Sequence, residues 1–162
     1  MSLTQHNKTI IKNISTNLRV LFMYKCKITP QNIVSLSHNE VFVFGSNLAG
    51  IHGKGAARQA HKSFGAVRGV GVGHTGHSYA IPTKNYQLKP LSLDTISWYV
   101  NGLYDYAVEH PMLEFLITRI GCGLAGYKDS DIAPLFKDFT QLENVSLPRE
   151  WLDLMPQYDN CI

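Results

Sequence analysis

The chain has 162 residues, of which 44% are hydrophobic and 17% charged, and its formal net charge is +3. That balance excludes a disordered or low-complexity chain and suits one globular domain with a sizeable core. The longest apolar stretches, such as residues 20–24, are far too short to span a membrane, so no membrane association is expected.

The charge is unevenly spread. Residues 1–40 hold five Lys/Arg against one acid, residues 41–93 hold six against none, and residues 94–162 hold four against eleven. The acid-free centre also carries His52, His61, His74 and His77. An anionic ligand suits such a segment, although solvated surface charges would give the same count. Cys26, Cys122 and Cys161 lack metal-ligand spacing and cannot all pair, which fits a reducing cytoplasm. Asn13, Asn17 and Arg19 break the first apolar patch and argue against a secretory signal.

In chain order, residues 1–25 are polar and asparagine-rich and read as an extension with one short strand near 19–24. Residues 26–162 form the single domain. Residues 40–44 are β-rich and end at Gly45, a buried strand. Residues 54–64 place Ala56, Ala57, Ala60 and Phe64 on one face of a helix. Residues 65–77 are glycine-dense and expected as loop, and 78–82 (SYAIP) as strand. Residues 93–110 form the clearest helix, capped by Ser92, stopped before Pro111 and lined inside by Ile96, Val100, Leu103 and Ala107. A strand at 114–120 leads into a loop at 121–127. A helix capped by Ser130 then runs to about 139, with Pro134 in its first turn, and 145–147 is a last strand. Strands alternating with helices give an α/β domain of three layers with the sheet in the middle. Ligands gather at the strand ends of such sheets.

Two segments join a strand to a helix through glycine. The first, FVFGSNLAGIHGKGAARQA at 42–60, spaces Gly45 and Gly50 like a P-loop, but Ile51 and His52 stand where Lys-Ser/Thr is needed. Its bare backbone before a helix still suits an anion. The second, IGCGLAGY at 120–127, again frees backbone N–H groups. Cys122 reads either as a thiolate near a helix start or as a small buried residue, and Tyr127 as a stacking platform or core. Lys84 follows the SYAIP strand, where an ammonium reaches the ligand edge of the sheet to pair with phosphate or act as a nucleophile. Gly71–Gly76 spells G-x-G-x-x-G, but no strand precedes it and no helix follows, so a dinucleotide fold is rejected. His74 and His77 form H-x-x-H without a third ligand, and no metal or cofactor is expected.

Taken together, VFGSNLAG-x-HGKGAA, RIGCGLAGY and the intervening lysine resemble a macrodomain over residues 38–150. The resemblance is nearest to the terminal ADP-ribose glycohydrolase branch and to macro-like phage and prophage proteins of unknown function. It implies a three-layer α/β/α fold with a central mixed sheet and a cleft for ADP-ribose or a related nucleotide diphosphate. By the same resemblance, Gly45, Ser46 and Asn47 enter the first ligand loop, Asn47 lies near the distal ribose, and Gly53 and Gly55 back the ligand. Gly121, Cys122, Gly123, Leu124, Ala125, Gly126 and Tyr127 form the diphosphate loop, and Lys84 takes the place of the branch's nucleophile. That branch has a catalytic Asp directly after GCGL, where this chain has Ala125, and the Asp with which many macrodomains read adenine is not evident. Binding of ADP-ribose, free or on a modified protein, is therefore the expected function, with its removal by Lys84 as an extension. The alternatives are a Cys122-dependent hydrolase, or a nucleic-acid or protein interaction module. The glycine loops lack the interleaved aromatics of a single-strand binder, so nucleic acid is not the expected partner.

Overall fold

A computed structural model describes residues 27–155. The strand expected near 19–24, Cys26 and Cys161 lie outside the described residues. The elements are β1 (Lys27–Ile28), β2 (Glu40–Asn47), α1 (Gly55–Ser63), β3 (Gly73–Thr75), β4 (Ser78–Lys84) and α2 (Leu93–Glu109). They continue with β5 (Glu114–Ile117), α3 (Asp129–Ile132), a 3-10 helix (Ala133–Gln141), β6 (Val145–Leu147) and α4 (Arg149–Leu152). The six strands form one mixed sheet in the order β1-β6-β5-β2-β4-β3. Every pair is parallel except β3 with β4.

The period of two along each central strand divides its side chains between two cores. Val41 and Val43 of β2, Tyr79 and Ile81 of β4, and Phe115 and Ile117 of β5 face one core, which α2, the 3-10 helix and α4 cover. Phe42, Phe44, Ala80 and Leu116 face the other, where Ala57 and Ala60 of α1 close the layer. The fold is therefore three-layered, with the sheet between two helical layers. Ser92 caps α2 by accepting the Thr95 N–H at 3.2 Å, and Ile96, Val100, Leu103 and Ala107 are all buried, as their spacing requires.

Several elements differ from the sequence expectation: β1 and α4 are additional, and β4 runs past Pro82 to end at Lys84. Strand β2 does not end at Gly45, because its pairing with β4 continues to Asn47 opposite Lys84. Strand β5 stops at Ile117, after which the Thr118 N–H and hydroxyl both donate to the Val43 carbonyl, at 3.1 and 2.8 Å. The 65–77 segment is not all loop, since Gly73–Thr75 pairs antiparallel with β4 as an edge strand. Ser130 lies inside α3 rather than capping it. The turn starts at Lys128, whose N–H donates to the Asp131 carboxylate at 2.9 Å, and the chain beyond Ile132 tightens to 3-10 geometry.

Candidate functional site

The end of β2 delivers Gly45, Ser46 and Asn47 into the loop before α1. Asn47 is buried, and its amide closes the loop: Oδ1 accepts the Ile51 N–H at 3.0 Å and Nδ2 donates to the Ile51 carbonyl at 2.8 Å. The loop rests on the 67–71 segment. The Ser46 hydroxyl donates to the Gly71 carbonyl, and a Cβ on Gly71 would stand 2.1 Å from the Asn47 carbonyl oxygen. Buried His52 places Nε2 at 3.1 Å from both the Val67 and the Val70 carbonyl, which requires the proton on that nitrogen. The loop ends at Lys54, the residue before α1. Lys54 supplies no side-chain cap, and no acid occupies the first turn, so the positive end of α1 is left uncompensated.

Opposite lies the second glycine loop. Gly121 has φ +76°, a Cβ on it would lie 3.1 Å from Ile132, and Gly45 borders its backbone at ordinary contact distance. Bonds from Gly126 N–H to the Gly123 carbonyl and from Tyr127 N–H to the Gly121 carbonyl, both 3.0 Å, fold the loop. Among the described residues, the N–H groups of Gly123, Leu124 and Ala125 donate to no protein acceptor.

Between the loops is a cavity of about 510 Å³. Its walls come from three directions: Asn47 to Ala57, the end of β4 with Thr83, Lys84 and Leu88, and Thr118 to Ala125. Consecutive residues Thr83 and Lys84 both reach it because the β2–β4 register shifts at Ser46/Asn47, leaving Thr83 as the extra residue of a bulge. Lys54, Lys84 and Arg119 line the cavity, and no Asp or Glu does. Ile51, Leu88 and Leu124 stand exposed around it, one from each wall. Leu88 holds φ 61°, a costly conformation for a branched side chain.

Of the residues expected from sequence, the cavity brings together Gly45, Ser46, Asn47, Gly53, Gly55, Lys84, Gly121, Gly123, Leu124 and Ala125. Cys122, Gly126 and Tyr127 are not among its lining. Cys122 packs against the main core, and burial, then Asp129, pushes its thiol up to about 12. Such a thiol stays protonated at neutral pH and offers no nucleophilic thiolate. The Tyr127 ring packs on the same core and its hydroxyl donates to the Leu91 carbonyl. Sequence reasoning missed Ile51, Lys54, Ala56, Ala57, Thr83, Leu88, Thr118, Arg119 and Ile120 as lining. Lys54 and Arg119 lie within the two quoted motifs and Thr83 directly precedes Lys84, and that adjacency was the available signal.

A second cavity of about 510 Å³ meets the first at Arg119, with Ala56 and Thr118 lining both. It runs from Thr29–Ile33, beyond β1, to Gln59 of α1 and Glu150 of α4. The hydroxyl of buried Thr29 lacks a hydrogen-bond partner. Arg119 forks onto Asp129, Nε to Oδ1 at 3.0 Å and a terminal nitrogen to Oδ2, while its other terminal nitrogen is 3.7 Å from Glu150. The Trp151 indole donates to the same Asp129 oxygen at 2.7 Å. Arg119, and after it Trp151, hold the Asp129 carboxyl below the usual carboxylate range. Away from both cavities, His74 Nδ1 lies 2.7 Å from the Tyr106 hydroxyl, and burial lowers its pKa. Exposed His77 is 3.3 Å from the Glu40 carbonyl. Among the described residues, no helix is long and apolar enough to cross a membrane, and no His/Cys/Asp/Glu group is arranged for a metal ion.

No protein-family model and no curated protein matches the sequence. Among solved structures, the chain is similar to the macrodomain of Mycobacterium tuberculosis DarG, at 20% identity over 76% of this chain and 97% of that one, with a TM-score of 0.58. A protein of unknown function from Bacteroides thetaiotaomicron aligns at 22% identity over 71% of this chain and 90% of its own, with a TM-score of 0.47. The likeness to the first, with the parallel β1-β6-β5-β2-β4 core, the antiparallel β3 edge and helices on both faces, gives this chain a macrodomain-like fold.

Proposed function

We propose that the chain binds ADP-ribose or a closely related nucleotide diphosphate, with the diphosphate between the two glycine loops. One observation carries this reading: the uncapped start of α1 and the loop with the unpaired N–H groups of Gly123, Leu124 and Ala125 line one cleft, together with Lys54 and Lys84 and no carboxylate. Backbone N–H groups and a helix dipole favour negative charge without any titrating partner, and the lysines add long-range attraction. In this reading the nucleoside lies in the adjoining cavity, walled by Phe42, Gln31, Asn32 and Gln59. The macrodomain-like fold supports the same ligand class.

Binding without turnover is the favoured form of this function. Attack by Lys84 on the distal ribose needs a partner to move protons, and no acidic side chain lines the cavity. Calorimetric titration is the direct test: ADP-ribose gives heat and raises Tm, and absence of both removes the proposal. Incubation of ADP-ribosylated protein with wild type and Lys84→Ala separates binding from release. Release by wild type and not by the variant would make the chain a hydrolase.

A further inference from the structure

The two cavities differ in charge: the first is cationic, and in the second Arg119 and Glu150 balance. In the first, Lys54 and Lys84 stand with no acid among the lining residues. In the second, Glu150 is the one carboxylate, among neutral groups such as Gln31, Asn32 and Gln59. Arg119 sits where they meet, but its charge is already answered. Asp129 takes the guanidinium through two hydrogen bonds, and Glu150 touches it only at 3.7 Å. Two carboxylates against one guanidinium leave a local charge of −1, and the weaker partner is the one that faces the second cavity. The remaining groups there suit a neutral hydrogen-bonding ligand: side-chain amides, and the Thr29 hydroxyl, on a residue 6% exposed, with no partner of its own.

We propose that the combined groove is charge-polarised, and that Glu150 is a specificity-determining residue that rejects nucleotides carrying a further phosphate at their nucleoside end. The inference rests on the nucleotide-diphosphate reading of the first cavity. It narrows the ligand class to those whose negative charge is confined to the diphosphate. A phosphate on the nucleoside ribose would enter the second cavity beside an under-compensated carboxylate, while Arg119, the cation among its lining residues, is held by two acids. Like-charge contact of this kind acts as selection against the wrong ligand more than as affinity for the right one.

The test is calorimetric titration of wild type and Glu150→Gln with ADP-ribose and with ADP-ribose 2′-phosphate. Wild type should bind the unphosphorylated ligand roughly tenfold more tightly. Glutamine preserves shape and removes the charge, so in the variant the two affinities should come within about twofold of each other, and that ratio is the readout. Equal affinities in wild type overturn the inference without involving any variant, and so does an undiminished ratio in Glu150→Gln. If wild type binds neither compound, the nucleotide reading falls and this inference falls with it. If it binds both alike, only the inference falls.

Discussion

Gly53 and Gly71 both border the first loop, and they are glycine for different reasons. A Cβ on Gly71 would collide with the Asn47 carbonyl at 2.1 Å, whereas one on Gly53 meets nothing within 4 Å. Gly123, across the cleft, is equally uncrowded. Gly71→Ala should therefore cost about 2 kcal/mol or more of stability, because backbone cannot step aside as a side chain does. Gly53→Ala and Gly123→Ala should leave the unfolding free energy within about 0.5 kcal/mol of wild type yet weaken ADP-ribose binding about tenfold. Equal stability losses at all three positions would refute the distinction. Two titrating residues contribute to the acid response. Burial lowers the pKa of His74 below 6.5, so its contribution to stability is full above pH 6.5 and declines as pH falls through that value. Asp129, depressed below 3.8 chiefly by Arg119, adds a second loss at lower pH, complete once pH passes its folded value. Urea midpoints measured from pH 8 to 3 should show both limbs, and His74→Phe should remove the first. Cys122, with its thiol near 12, should resist iodoacetamide at pH 7.5 in native protein and react once it unfolds, read by peptide mass spectrometry.

Helices α1 and α2 begin in opposite ways. Ser92 caps α2 with its own hydroxyl, and Ser92→Ala should lower stability by about 1 kcal/mol without altering ligand affinity. Lys54 leaves α1 uncapped, with a cation where the helix dipole disfavours one. Lys54→Ser should raise Tm while weakening ADP-ribose binding, since a serine hydroxyl would occupy an N–H now left for the ligand. A variant that gains both stability and affinity would contradict this role. The same contrast bears on what was legible. The α2 cap, its inner stripe and the β6 strand follow from local pattern, because each is decided within a few residues. Edge strand β3 is not legible, since Gly73-His-Thr75 has no apolar alternation and is a strand only because β4 supplies its partners. Ser130 is a plausible cap in sequence and loses to Lys128 because the Asp131 carboxylate reaches back one turn.

At the scale of the whole molecule, one open sheet gathers every candidate ligand group at the C-terminal ends of its parallel strands. Asn47 ends β2, Lys84 ends β4 and Thr118 follows β5, so loops remote in sequence share one cleft. A ligand that spans the two cavities ties these ends together. At a concentration a hundredfold above its Kd, ADP-ribose should stabilise the protein by about 2.7 kcal/mol. Thermal unfolding with and without the nucleotide measures this, and inorganic phosphate, which fills only part of the groove, should shift Tm less.

By itself the sequence determined the class of the fold and the pair of glycine loops, because strand and helix periods and unsubstituted backbone are local properties. It also marked the central segment as basic and acid-free, since charge counts need no coordinates. Only the tertiary structure decided which loop residues face the cleft. Cys122 and Tyr127 sit within the second loop's motif, yet both pack on the core, while Arg119 of the same motif and Thr83 before Lys84 line the cleft. It alone also brought Glu150 and Arg119 together beside a second cavity, thirty-one residues apart in the chain. Those outcomes depend on a register shift, a buried core and an ion pair, and each joins residues that no sequence window contains.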